Sequence, residues 1–141
     1  MATAAADTPR QYEAELVPVF NNLPVAATDV IFEGSAVTFD SSGDISPLVT
    51  TDTFAGFCEK QADNSTGSAG DIKVKVRQKG AVKLSVAGVT DYADVGSDVY
   101  ASDDLVFTLT VGTNLKVGKI LRWISGTDCI VYFESTILAS I

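Results

Sequence analysis

The sequence predicts an all-β domain, a small antiparallel barrel or sandwich, preceded by an extended N-terminal arm. Three observations predict it. From Asp71 to Ala87 apolar residues fall on Ile72, Val74, Val76, Val82, Leu84 and Val86, with Lys73, Lys75, Arg77, Lys83 and Ser85 between them. That is period two, the pattern of a strand with one face in a core and one in water. Further short apolar runs recur at roughly 8–12-residue spacing between Gly, Asp, Ser and Asn turns, as in barrels and sandwiches. No stretch holds a helical period.

Length and composition set the outer bounds. At 141 residues the chain is one domain with enough mass for a core, and 46% hydrophobic and 20% charged residues are globular values. The net charge of −8 favours solubility and disfavours a general nucleic-acid binder. Charge is unevenly spread. Lys73, Lys75, Arg77, Lys79 and Lys83 crowd one stretch, whereas Arg10 and Lys60 are the only basic residues before Asp71. Two readings stay open: a solvated strand face guarded by lysines, which is favoured, or a face that meets an acidic neighbour.

In chain order, residues 1–10 are small and polar, as in a mobile end. Residues 11–27 form the arm. Tyr12, Ala14 and Leu16 alternate with Glu13 and Glu15, and Val17, Val19, Phe20 and Leu23 follow. A helix capped by Thr8 with Pro9 at its first position is the competitor; Pro18 and Asn21-Asn22 weigh against it. The domain proper spans 28–141. Val30–Phe32 and Ser35–Phe39 read as strands, Asp40–Asp44 as a turn, Ile45–Thr53 as a loop held by Pro47, and Phe54–Lys60 as a strand. Ala62–Gly70 has the composition of a flexible surface loop. In the basic stretch Gly80 marks either a kink in one long strand or a tight turn between two. Gly88–Gly96 is turn-rich, Asp98–Ala101 a short strand, and Leu105–Val111 a strand with Leu105, Phe107, Leu109 and Val111 on one face. Lys116–Ile124 and Cys129–Glu134 form a hairpin through Ser125–Asp128. The tail from Ser135 to Ile141 is apolar.

Chemistry finds little purchase. The chain has no histidine, which removes Ser-His-Asp and Cys-His catalysis and every imidazole metal site. Cys58 and Cys129 lie in apolar strand-like runs without a Cys-x-x-Cys spacing and are expected as buried free thiols. The first residues lack the basic end and apolar middle of a secretion signal, and no apolar run approaches a membrane span. Asn64-Ser65-Thr66 fits a glycosylation acceptor pattern, which carries little weight without such a signal. Asp103-Asp104 is expected to be a solvated loop pair, and Asp40 and Asp44 to be turn residues rather than calcium ligands. Trp123 and Tyr132 are placed to pair across the hairpin, as a core or interface contact before a ligand platform. No catalytic residue, cofactor or metal is expected.

Three stretches together resemble a known family. Ile72–Val86 resembles the V-x-V-x-x-x-G-x-x-x-L core strand of the small tailed-phage proteins called capsid cement or head decoration proteins. Ala93–Tyr100 resembles their G-D-x-V-Y signature. Val117–Leu121 with Cys129–Phe133 resembles their closing h-G-x-h motif (h is apolar) and final strand, and Ser35–Phe39 the opening strand. The similarity covers roughly residues 30–134. It departs where Gly96-Ser97-Asp98 replaces Gly-Asp, and the arm has no counterpart. The resemblance implies a non-enzymatic virion protein, made in the host cytoplasm and bound to the outer surface of a phage head. There it would reinforce the shell as a homotrimer on the major capsid protein, without direct contact to nucleic acid or membrane. Tyr12, Leu16, Val19 and Phe20 on the arm are the expected capsid contacts, through strand addition; docking of the arm on its own domain is the competing reading. A ligand-recognising virion appendage or carbohydrate-binding module, with Trp123, Tyr100 or Tyr132 as stacking surface, is the alternative function.

Overall fold

The structure, a computed structural model, describes residues 4–13 and 19–141. Its strands in chain order are β1 (Tyr12–Glu13), β2 (Val19–Pro24), β3 (Val30–Ile31), β4 (Ala36–Phe39), β5 (Ile45–Pro47), β6 (Thr53–Cys58), β7 (Ala62–Asp63), β8 (Lys73–Ala87), β9 (Asp98–Ala101), β10 (Phe107–Thr108), β11 (Leu115–Ser125) and β12 (Asp128–Glu134). A 3-10 turn at Tyr92–Asp94 and a short helix α1 (Thr136–Ala139) complete the described elements. Strand makes up 48% and helix 5%, so the all-β expectation holds.

Strand β8 is the spine. It runs unbroken for 15 residues, so Gly80 is a passage point within one strand and not a turn. Val74, Val76, Val82, Leu84 and Val86 are buried while Lys73, Lys75 and Ser85 are exposed, as the alternation requires. Beyond Gly80, β12 lies antiparallel on β8 with Val131 opposite Val82. Next come β11, the hairpin partner of β12, then β9, then β10. Strand β10 returns to β8 in parallel, Phe107 opposite Val86. That pairing closes the sheet on itself and decides for the barrel over the sandwich.

Before Gly80, the same strand leaves the barrel. Lys73–Lys79 takes β2 along one edge, and Val76 and Arg77 take β6 along the other. Strand β6 pairs with β4, and β4 with β5. In the β4–β6 ladder Val37 faces Gly56 and Thr38 faces Phe54, so Ala55 is an extra residue in a bulge. The bulge resets the phase. Phe54 and Phe57 point into the barrel core, and Ala55 and Cys58 into a second core. The wall is tight at Gly56, where an added methyl would overlap the Arg77 carbonyl.

The two cores differ in content. The barrel core gathers Phe54, Phe57, Phe107 and Phe133 around Val82, Leu84, Val99, Ile120 and Val131. Phe57 and Phe133 meet edge to face, centroids 4.8 Å apart at 77°. The second is aliphatic: Val25, Ile31, Val37, Ile45, Val74 and Val76 with Cys58.

Several expectations are corrected. The described part of residues 1–27 does not stand off the domain: β1 and β2 both pair with β8, and Val25 is wholly buried. The loop after Asp44 contributes β5. Of Leu105–Val111 only Phe107–Thr108 is strand; Phe107 enters the barrel core and Leu109 packs against it, while Leu105 and Val111 are exposed. The loop around Asn64 is pinned: the buried Asn64 amide donates to the carbonyls of Val25, Ala26 and Ser68. The Asp40–Asp44 turn forms as expected, with Asp40 Oδ1 accepting from Ser42 and Asp44 N–H.

Candidate functional site: the N-terminal edge of β8

The edge of β8 that the barrel leaves open is where the N-terminal segment lies. Tyr12 sits opposite Val82 and Phe20 opposite Arg77, and Lys83 N–H donates to the Gln11 carbonyl at 2.8 Å. These bonds satisfy backbone groups that an uncovered strand edge would present to any other chain. Strand β2 itself pairs only with β8 among the described residues, so its outer edge is open.

Side chains reinforce the docking. The Arg77 guanidinium carbon stands 3.8 Å from the Tyr12 ring centroid and 4.4 Å from that of Phe20. Lys75 Nζ lies 4.6 Å from the Phe20 centroid. Each is a cation held against an aromatic face. Arg77 also forks onto Glu59, with both N···O distances 3.4 Å. The favoured reading of the basic stretch as a solvated face therefore holds for the exposed Lys73 and not for Arg77. Tyr12 packs at 6.3 Å on Phe133, and burial pushes its phenol far above the usual range.

Further back, Ala4 N–H donates to Asp104 Oδ2 at 2.9 Å, and Arg10 Nε to the Gly34 carbonyl at 2.8 Å. The Arg10 guanidinium rests over Phe57 and Phe107. Asp103 and Asp104 are both buried, Asp104 under the N-terminal segment, against the expectation of a solvated pair. Burial, with Asp103 beside it, raises the Asp104 carboxyl to about 6. Arg10 Nη2, Tyr12 Oη, Ser35 Oγ and Asp104 Oδ1 are buried without hydrogen-bond partners, so this seam is less well matched than the apolar cores.

Of the four expected contact residues, Tyr12 is half-buried against its own barrel, Val19 and Phe20 are half-buried on β2, and Leu16 lies outside the described residues. The register does not bring Trp123 to Tyr132: Tyr132 faces Lys119, and Trp123 faces Cys129. Trp123 instead meets Tyr92 edge to face at 4.8 Å. Tyr92, Arg10 and Asp104 carry roles that no pattern in the sequence marked; the Asp91 and Asp94 that flank Tyr92 were the available signal, since an Asx turn holds its residues still.

Among the described residues both thiols are buried. Cys58 and Cys129 are free, and burial pushes their thiols to about 12 and about 11. No group of acids and thiols able to hold a metal ion occurs among the described residues. A groove of about 260 Å³ lies beside α1, lined by Val117, Lys119, Tyr132 and Glu134 among others. Among the described residues no helix is long and apolar enough to cross a membrane.

No family model and no curated protein matches the sequence. The fold is similar to that of a chain in the structure titled "The capsid of Myoviridae Phage XM1", with a TM-score of 0.60 and 17% identity. The likeness covers 95% of this chain and 94% of that one. At that identity it is a likeness of fold.

Proposed function

We propose that this chain is a structural, non-enzymatic virion protein that binds the outer surface of an assembled phage head and reinforces it. The observation that carries the reading is the end-to-end fold likeness to a chain of a phage capsid structure. The motifs at Ile72–Val86, Ala93–Tyr100 and Val117–Phe133 support it, as does the lack of histidine. The partner is the major capsid protein, and the bound form is a homotrimer.

The contact is assigned to the N-terminal segment. Tyr12 anchors it on the barrel, while Val19 and Phe20 sit on the open edge of β2, with Leu16 preceding them in the chain. An open edge admits a strand from a neighbouring subunit, whose backbone bonds supply affinity and whose side chains supply selectivity. The test is to mix the purified protein with undecorated heads of its phage and image the particles by electron microscopy. The expected result is density on the outer surface at local three-fold positions, weakened by Val19→Asp. Absence of binding, or density inside the shell, would overturn the reading.

A further inference from the structure

At the far end of β8 from its basic half lies an exposed aromatic corner. Tyr92 is 70% exposed, yet its ring is held at 72° to that of Trp123. The backbone beneath it is rigid. Asp94 Oδ2 accepts from the N–H groups of Thr90 and Asp91, and Asp91 Oδ1 from Ala93 N–H. Trp123 is fixed in turn by its Nε1–H, which donates to the Gly126 carbonyl at 3.0 Å. Two exposed aliphatic residues lie close by in the chain: Val95, 45% exposed, follows the turn that carries Tyr92, and Leu121, 52% exposed, stands two residues before Trp123 on β11. An isolated exposed side chain needs no explanation, but an exposed ring braced against a second ring on a hydrogen-bonded turn does.

The charge around the patch says what it fits. Asp91 and Asp94 flank Tyr92, and Asp128 closes the hairpin that carries Trp123. The backbone donors hold the Asp94 carboxyl below its usual range, which keeps it ionised. Ring faces and carboxylates attract the same ligand chemistry, a cation. The chain already uses it internally, where Arg77 lies between Tyr12 and Phe20 beside Glu59.

We propose that the Tyr92–Trp123 corner is a docking site for a cationic segment of a partner protein. An arginine or lysine side chain would enter between the rings and the carboxylates of Asp91, Asp94 and Asp128, and flanking apolar residues would cover Val95 and Leu121. The proposal stands apart from the reading of the N-terminal edge, since it needs only the folded barrel.

Trp123 is the single tryptophan of the chain, so tryptophan fluorescence reads this corner and the barrel rim it packs on. The probe is a capped peptide of alternating leucine and arginine, with a leucine–glutamate peptide as control. The expected result is a saturable change with the arginine peptide only, weakened by added salt. Tyr92→Ala should weaken it by roughly tenfold and Tyr92→Phe should retain it. Asp91→Asn and Asp128→Asn, which keep shape and remove charge, should each weaken it by roughly two- to fivefold. Circular dichroism checks that each variant is folded. No saturable change, an equal response to the glutamate peptide, or a change on simple dilution of the protein, which would make a second copy the occupant, would each overturn the proposal.

Discussion

The barrel core and the second core share strand β8, yet they are closed by different means. The barrel closes through hydrogen bonds of its own sheet, ending in the parallel pairing of β10 on β8, and fills with four phenylalanines. The second core is covered by an N-terminal strand and a pinned loop, and fills with small aliphatic side chains. Both regions join β8 to strands far along the chain, Val131 opposite Val82 in the barrel and Leu23 opposite Val74 at the second core. The difference teaches that one strand pattern can serve a region that its own sheet closes and a region that needs an N-terminal strand as cover. The phase-resetting bulge in β6 keeps a wall between them.

The largest effect tests whether the two are one cooperative unit. Phe57 touches Phe54, Phe107 and Phe133, so Phe57→Ala should cost about 3–5 kcal/mol in urea unfolding. A single transition is expected, because β6 contributes to both cores; an early separate transition would show them to be independent. Gly56→Ala attacks the wall itself. It adds a methyl against the Arg77 carbonyl at a positive φ of 137° and should cost about 1–3 kcal/mol, read as a lowered Tm.

Asn64→Ala should loosen the second core selectively. It leaves the Val25 and Ala26 carbonyls without their amide donor, at about 1–3 kcal/mol. Hydrogen exchange should rise around β2 and residues 62–70 before it rises in β11 and β12. Acid sharpens the contrast from the barrel side. Asp104, raised to about 6 by burial, has a folded value above its ordinary 3.8. Its contribution to stability is therefore full below about pH 4 and lost as pH rises through about 6. Asp104→Asn keeps an acceptor for Ala4 N–H without the charge, so its stability should vary less between pH 4 and 8 than that of the parent. The smallest effect is Arg77→Ala, which removes the cation between Tyr12 and Phe20. It should cost about 0.5–2 kcal/mol and appear as faster exchange of β2 amides.

The sequence by itself determined what short-range geometry decides. Successive strand side chains point to opposite faces, so Val74 to Val86 declared themselves buried without reference to any partner, though not that Val74 and Val76 enter one core and Val82 to Val86 the other. The turn at Asp40–Asp44 and the hairpin at Ser125–Asp128 were legible because their side chains and glycines act on their own backbone. Only the tertiary structure decided which edges meet. Continuity through Gly80, closure at Phe107 and Val86, and the placing of Tyr12 and Phe20 along β8 depend on competition between strand partners far apart in the chain. Period two is the same for every partner, and the choice rests on packing weighed against loop-closure entropy. The candidate sites follow the same division. Asp104 and Tyr92 looked alike as polar loop residues; one is buried because Ala4 and Arg10 cover it, the other exposed because nothing in the described chain does, and cover is a property of the fold.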